Sequence, residues 1–212
     1  MLTIALPKGR IAEETLEIFE KSFAQKFLFE DRKLILKTEG FTFLLVRNQD
    51  VPAYVVHQAA DLGVVGLDVL KEKQMDLMQL LDLGIGKCRV CVGMKREDEL
   101  DASKPEITVA TKMERIAREY FSSKAMAVKV IKLYGSIELA PLVGLSDAIV
   151  DIVETGTTMK QNGLKVVETI MHSSAHLIAN KNSYIAKKEE IMALYHKITE
   201  TIASMEAQRV QG

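Results

Sequence analysis

Ala148-Ile149-Val150-Asp151-Ile152-Val153-Glu154-Thr155-Gly156-Thr157-Thr158-Met159-Lys160 is the stretch whose reading decides the fold. Residues 148–150 form an apolar, β-branched run of the kind that makes a buried strand. The run ends in an acid, turns through Thr-Gly-Thr-Thr and continues as a short helix-like segment. A strand that passes through a glycine turn into a helix is a building unit of an α/β sheet. The same turn suits an anion: it exposes backbone N–H groups, Gly156 lets a ligand come close, and a helix N-terminus favours negative charge. Thr155, Thr157 and Thr158 add hydroxyl donors. Asp151 cannot hold a phosphate, but it can accept hydrogen bonds from sugar hydroxyls. An acid beside such a loop therefore points to a ribose 5-phosphate. Taken alone, the turn reads more simply as a helix N-cap.

Outward from this stretch, strand-like and helix-like segments alternate. Toward the N-terminus, residues 107–110 and 127–131 read as strands around a helix at 112–121. Residues 2–6 read as a strand, followed by a helix at 11–23 with Ile11, Thr15, Leu16, Phe19 and Phe23 on one face. Strands are predicted at 34–36, 41–46, 62–65, 78–81, 89–94 and 166–171. Helices are predicted at 51–60, with Asp50 as N-cap and Pro52 in its first turn, and at 67–73. A further helix begins at Ser136, which caps it, and a long charged amphipathic helix spans 187–208. This alternation predicts an α/β fold with largely parallel sheet. The charged run 95–105, closed by Pro105, reads as surface just after a crossing into a second lobe. A second crossing falls near 173–182. The expected lobes are residues 1–92 plus 178–212, and residues 93–177, with a central cleft suited to small molecules.

Composition excludes several classes. With 28 Lys and Arg against 29 Asp and Glu, the net charge of −1 gives a nucleic-acid partner no electrostatic support. No apolar run is long enough to span a membrane. The opening Met1-Leu2-Thr3-Ile4-Ala5-Leu6-Pro7-Lys8 lacks a basic n-region and a long apolar stretch, so no secretory signal is expected. Two cysteines and no export signal point to a reducing cytoplasm. Cys88 and Cys91 are spaced C-x-x-C, but on a strand they face opposite sides, and no second pair exists to complete a zinc site. His172 and His176 do not form H-E-x-x-H. No Ser/His/Asp arrangement suggests a nucleophile, so covalent catalysis is not expected.

Other segments offer anion contacts. Lys8-Gly9-Arg10 follows the first strand directly, at the carboxyl end where ligands of open α/β sheets bind. Arg supplies a forked contact and Lys a point charge, so Lys8 and Arg10 suit polyphosphate, although a solvated turn explains the tripeptide too. Arg47 ends another strand. Gly63-Val64-Val65-Gly66-Leu67-Asp68 is a strand and glycine turn in which Gly66 brings backbone N–H groups to a ligand, but it is no dinucleotide fingerprint. Glu138, in the first turn after Gly135-Ser136-Ile137, is placed to bond a sugar hydroxyl or to position a magnesium-bound substrate.

Together these pieces resemble the ATP phosphoribosyltransferase family. The segments that carry the resemblance are Leu6-Pro7-Lys8-Gly9-Arg10, Asp50-Val51-Pro52-Ala53-Tyr54-Val55, Ala60-Asp61-Leu62-Gly63-Val64-Val65-Gly66 and Gly86-Lys87-Cys88-Arg89. They continue with Ala110-Thr111-Lys112, Gly135-Ser136-Ile137-Glu138-Leu139-Ala140-Pro141, Asp147-Ala148-Ile149-Val150-Asp151, the Thr-Gly-Thr-Thr loop and Asn162-Gly163-Leu164. They stand in family order across about residues 2 to 180. The chain departs from the family pattern at Met113-Glu114-Arg115 and at His176, where an Arg is common.

The resemblance implies a two-lobed architecture similar to type II periplasmic binding proteins. It implies transfer of a 5-phosphoribosyl group from phosphoribosyl pyrophosphate to N1 of ATP, the first step of histidine biosynthesis, with Mg²⁺ held through substrate phosphates. The length is similar to the short form of the family. That form lacks a C-terminal histidine-binding domain and works in a hetero-octamer with a regulatory subunit similar to histidyl-tRNA synthetase, and a homodimer of this chain is expected within it. On this reading Asp151, Thr155, Gly156, Thr157, Thr158 and Glu138 bind phosphoribosyl pyrophosphate. Lys8 and Arg10 act on pyrophosphate or ATP phosphates, with Arg47 and Gly66 as lesser ligands there. Two rivals stand beside it: a non-catalytic binding module of the same fold, and a phosphoribosyltransferase with another base acceptor.

Overall fold

β1 (Leu2–Pro7) alternates its side chains across a sheet, with Leu2, Ile4 and Leu6 packing to one face and Ala5 to the other. The chain continues through α1 (Arg10–Phe23), β2 (Ile35–Lys37), β3 (Phe41–Val46), a 3-10 turn at Asn48–Asp50, α2 (Val51–Val56), β4 (Leu62–Gly66), α3 (Leu67–Lys73) and β5 (Met78–Asp82). Next come β6 (Cys88–Lys95), β7 (Ile107–Thr111), α4 (Glu114–Ser123), β8 (Val128–Lys132), α5 (Leu139–Leu142), β9 (Ala148–Val153), α6 (Thr157–Gln161) and β10 (Leu164–Ser173). β11 (Ala175–Ala179), α7 (Lys181–Ala186) and α8 (Lys188–Gln211) follow. This computed structural model describes residues 1–101 and 103–211.

The chain divides into two units, Met1–Gly86 with Ser174–Gly212, and Lys87–Ser173. Divisions after residues 92 and 177, expected from the sequence, would cut β6 and β11. Each of those strands instead pairs along its length within one sheet.

The first unit holds a six-stranded sheet in the order β2-β3-β1-β4-β11-β5. One face packs on α1 and α8. There the Phe19 ring meets those of Phe23, Phe27, Phe41 and Phe43 at centroid distances of 5.9, 6.2, 5.6 and 5.3 Å. Three of these four contacts are edge-on, the arrangement ring quadrupoles prefer. The other face, with Ala5, Val65 and Ile178, is covered by α2 and α3 through Val51, Val55 and Val69. Gly63 lets α2 approach β4 closely: a Cβ there would stand 2.8 Å from both Val51 Cγ1 and Val55 Cγ2. The second unit holds a five-stranded sheet, β10-β6-β9-β7-β8.

Several expectations are corrected. The sheets are mixed rather than largely parallel: β1 with β3 and β4, and β7 with β8 and β9, are parallel, while the other pairings are antiparallel. Direction reverses where the chain runs directly from one strand to its neighbour without a helix, as at β2–β3. The second crossing falls between Ser173 and Ser174, within the expected 173–182, and the short apolar run Ala175–Ala179 after it is a strand that the sequence did not suggest, inserted between β4 and β5. The α2 helix ends at Val56, since Gln58 adopts a left-handed φ of 59°. Asp50 stands at its N-cap position, yet its side chain makes no capping bond, because the 3-10 turn already leads the backbone in. Ser136 does not cap α5 either; it adopts φ 48°, and the helix begins at Leu139. The run 95–105 is mostly exposed, as expected of a surface segment, and Ala102 within it lies outside the described residues.

One ion pair ties the ends of the first unit together. Asp61, just before β4, accepts a hydrogen bond from Lys187 Nζ at 2.8 Å and another from the Thr3 backbone N–H at 2.9 Å. Burial alone would raise the Asp61 carboxyl, but the bonds from Lys187, Thr3 and Ser183 outweigh it and hold it below the usual carboxylate range. A depressed carboxyl contributes stability above its unfolded-state value, and that stability is lost as pH falls through the folded one. Asp61→Asn is therefore expected to cost about 1–3 kcal/mol near neutral pH, and less below about pH 4. Urea unfolding of both chains across that pH range measures it; an equal difference at both ends contradicts it.

Candidate active site

β9 lies between antiparallel β6 and parallel β7. Alternation along it sends Ile149, Asp151 and Val153 to one face, and Ala148, Val150 and Ile152 to the other. The first face carries an apolar cluster in which Ile137 and Ala140 from the α5 region and Met159 of α6 pack beside Cys91, Ala110 and Leu164. Met159 is seated over Gly93 of β6, where an added Cβ would stand 3.1 Å from its sulfur. This packing anchors the start of α6 on the sheet and so fixes the loop before it.

The strand is longer than its sequence suggested. It runs to Val153, so Asp151 sits within β9 rather than at its end. The turn follows at 154–156, with Gly156 at φ 82° and ψ 0° in the left-handed region at the N-cap of α6. No side chain caps this helix. Thr155 and Thr157 instead share a hydroxyl–hydroxyl bond of 2.9 Å, and the Thr157 N–H lies 3.4 Å from Thr155 Oγ1. Thr155, Thr157 and Thr158 are exposed, and residues 152–159 line a cavity of about 260 Å³. None of these threonines caps α6 through its side chain, and all three line the cavity.

Asp151 has a neighbour that the site prediction left out. Ala110 on β7 faces the same side as Ile149, so Lys112, two residues further, reaches the same face. Its Nζ stands 3.5 Å from Asp151 Oδ1, an ion pair without hydrogen-bond geometry. The signal was available in Ala110-Thr111-Lys112, a cation at the carboxyl end of a parallel strand. Glu138 is half-buried at the entry to α5, between the anchored Ile137 and Ala140.

The remaining predicted residues belong to the first unit, where three adjacent parallel strands, β3, β1 and β4, end at one edge of the sheet. Lys8 follows β1 and Arg47 follows β3, and the Lys8 N–H donates to Val46 O at 2.9 Å. Both side chains are exposed. Arg10 opens α1 and lies 3.7 Å from Glu14. Gly66 ends β4 in extended conformation, and the N–H that follows it, of Leu67, donates to Ser174 O at 2.9 Å. That turn therefore offers a ligand fewer N–H groups than its sequence suggested. A larger cavity of about 580 Å³ lies beside α1, with Lys8 at its wall. Its other walls include Leu16, Phe27 and Leu34, the carboxylates of Glu13, Glu17, Glu20 and Glu30, and the cations Arg32 and Lys33. Among the described residues no group of three or more His, Cys, Asp or Glu could hold a metal ion.

Comparison with known proteins bears on this arrangement. The family model described as ATP phosphoribosyltransferase matches residues 47–200. A protein of Campylobacter curvus named ATP phosphoribosyltransferase is 71% identical over 202 residues, covering 95% of this chain and 98% of that one. The chain belongs to the ATP phosphoribosyltransferase family. A second family member, from Sulfurovum sp., is 67% identical over 204 residues, covering 96% of this chain and 99% of its own length. Among solved structures, the ATP phosphoribosyl transferase (HisG:HisZ) complex from Thermotoga maritima matches with a TM-score of 0.85 and 35% identity, over 96% of this chain and 100% of that one. The periplasmic aliphatic sulphonate binding protein SsuA from Escherichia coli matches at TM-score 0.65 and 14% identity, over 99% of this chain and 75% of that one, which is a likeness of fold alone. The family's fold is thus of the two-lobed type II binding-protein kind. Among the described residues no helix is long and apolar enough to cross a membrane.

Proposed function

We propose that Thr155, Gly156, Thr157 and Thr158 hold the 5-phosphate of phosphoribosyl pyrophosphate while N1 of ATP displaces its pyrophosphate. The reaction is that of the family: the 5-phosphoribosyl group passes to N1 of ATP, giving N1-(5-phosphoribosyl)-ATP and pyrophosphate, the first step of histidine biosynthesis. The bond from N1 to C1 of the ribose forms, and the bond from C1 to the pyrophosphate oxygen breaks with its electron pair leaving on pyrophosphate. Adenine N1 attacks with a ring lone pair, so the step needs no general base. Positive charge gathers on the ribose ring as pyrophosphate departs, and positioning with electrostatics carries such a reaction.

The observation that carries the assignment is the exposed threonine cavity at the end of β9, in a chain of this family. Hydroxyl and N–H donors around a small concave space suit a phosphate's acceptor oxygens. Asp151 and Glu138, on elements of the same sheet face, accept from ribose hydroxyls, with Asp151 the firmer of the two. Lys8 and Arg10 meet pyrophosphate or ATP phosphates, and Arg47 and Gly66 are lesser ligands there. Mg²⁺ would be held through the substrate phosphates and would supply positive charge to the leaving pyrophosphate. The chain works in the cytoplasm, a reading supported by Cys88 and Cys91, which are not joined in a disulfide. We further propose a homodimer of this chain in a hetero-octamer with a regulatory partner of the HisZ kind, similar to histidyl-tRNA synthetase. The match to the HisG:HisZ complex supports that partner.

One assay tests the whole reading. The chain is mixed with ATP, phosphoribosyl pyrophosphate and Mg²⁺, with and without the regulatory partner, and the adduct's absorbance is followed. Product that requires both substrates is expected. No product in either mixture would favour a non-catalytic binding module, and product only with another base would favour a different acceptor.

A further inference from the structure

Asp151 presents two different oxygens. Oδ1 is screened from water and accepts no hydrogen bond, and the Lys112 ammonium stands 3.5 Å away. Oδ2 is the oxygen left to the side chain's 23% exposure. The sheet face around the carboxylate is apolar: Cys91 is its cross-strand neighbour, and Ile149 and Val153 flank it along β9. In such surroundings Lys112 is the countercharge that stands beside Oδ1.

The position of that countercharge is built into the backbone. Thr111 Oγ1 donates to Val150 O at 2.6 Å and accepts from the Met113 N–H at 2.9 Å, both within the protein interior. Thr111 is thereby held to β9, one residue from Asp151, and Met113 is tied back to Thr111, so both chain neighbours of Lys112 are fixed. We infer that Lys112 is a positioning residue for the transfer: its ammonium holds Oδ1 of Asp151 and so turns Oδ2 toward the ribose hydroxyls of phosphoribosyl pyrophosphate. This rests on the reading of Asp151 as a ribose ligand. With Oδ1 held, rotation of the carboxylate is restrained and the accepting lone pairs of Oδ2 keep one direction. Without Lys112, the carboxylate is free to turn, and the hydroxyl contact is lost. The pair also presents no net charge to a polyanionic substrate.

A double-mutant cycle on the full chain tests this, with KM for each substrate and kcat measured for Lys112→Met, Asp151→Asn and the double variant. Each single change is expected to raise the KM for phosphoribosyl pyrophosphate about tenfold and to leave that for ATP unchanged. The double variant should be no worse than Asp151→Asn alone, and Lys112→Arg should recover most of the loss. Thermal unfolding checks that each variant is folded, and the double variant, which removes both charges together, remains informative if Lys112→Met is not. Losses that multiply in the double variant would mean that Lys112 touches the substrate itself and would overturn the inference. So would an unchanged KM in Lys112→Met beside a raised one in Asp151→Asn. An unchanged KM in Asp151→Asn is a different failure, since it removes Asp151 as a ribose ligand and the inference with it.

Discussion

Gly156→Val raises the KM for phosphoribosyl pyrophosphate at least about tenfold and leaves the KM for ATP nearly unchanged. The cause is backbone conformation rather than crowding. A Cβ at Gly156 would meet only Val153 Cγ1, at 3.8 Å, an ordinary contact. The residue stands at φ 82°, however, where an L side chain costs roughly 1–2 kcal/mol and a β-branched one more. The turn relieves that strain by moving, and Thr155, Thr157 and their shared 2.9 Å bond move with it. Each hydrogen bond lost to a charged phosphate costs about 1.5–3 kcal/mol, so one such loss already accounts for a tenfold effect. Gly156→Asn is the control, because asparagine tolerates the left-handed region and should retain most of the affinity. Unchanged kinetics in a folded Gly156→Val chain would remove the loop from the site.

Lys8→Ala combined with Arg10→Ala lowers kcat/KM by at least about tenfold, and by about a hundredfold if each cation supplies about 1.5 kcal/mol. The fold loses little by the change. Lys8 is exposed, and the Arg10–Glu14 ion pair, with side chains 52% and 33% exposed, is of the surface kind that is worth little. An activity loss with unchanged thermal unfolding therefore reports on polyphosphate contact. Rising salt should weaken the parent enzyme toward the variant, since exposed cations act through a screened field. A folded double variant with normal kcat/KM would take the Lys-Gly-Arg turn out of the reaction.

Much of this molecule is legible in its sequence, and the illegible parts have physical causes. β1, β3, β4 and β9 announce themselves because buried strands are apolar and β-branched, and α1 does so because its phenylalanines recur at helical spacing. Strand direction is not written in such runs, so a largely parallel sheet is the natural expectation although β6 pairs antiparallel on both sides. β11 itself escaped because five residues with alanine at both ends resemble a linker until β4 and β5 flank them. Helix caps misled for another reason. Asp50 and Ser136 have the right side chains for a cap, but the backbone around each enters its helix through a tight turn that leaves the side chain no role there. The turn at 154–156 was legible because Gly156 permits the left-handed conformation that ends β9 and opens α6. Lys112 was not singled out, since a lysine after a strand looks like a solvated end until β9 places Asp151 beside it.

The central claim is that the threonine loop anchors a 5-phosphate. Titrating ribose 5-phosphate, and separately ribose, into the isotopically labelled chain while following the amide resonances of residues 155–158 tests it most directly. The account predicts saturable shifts of those amides with ribose 5-phosphate and none of that size with ribose. Amides at 155–158 that stay still while ribose 5-phosphate binds elsewhere would contradict it.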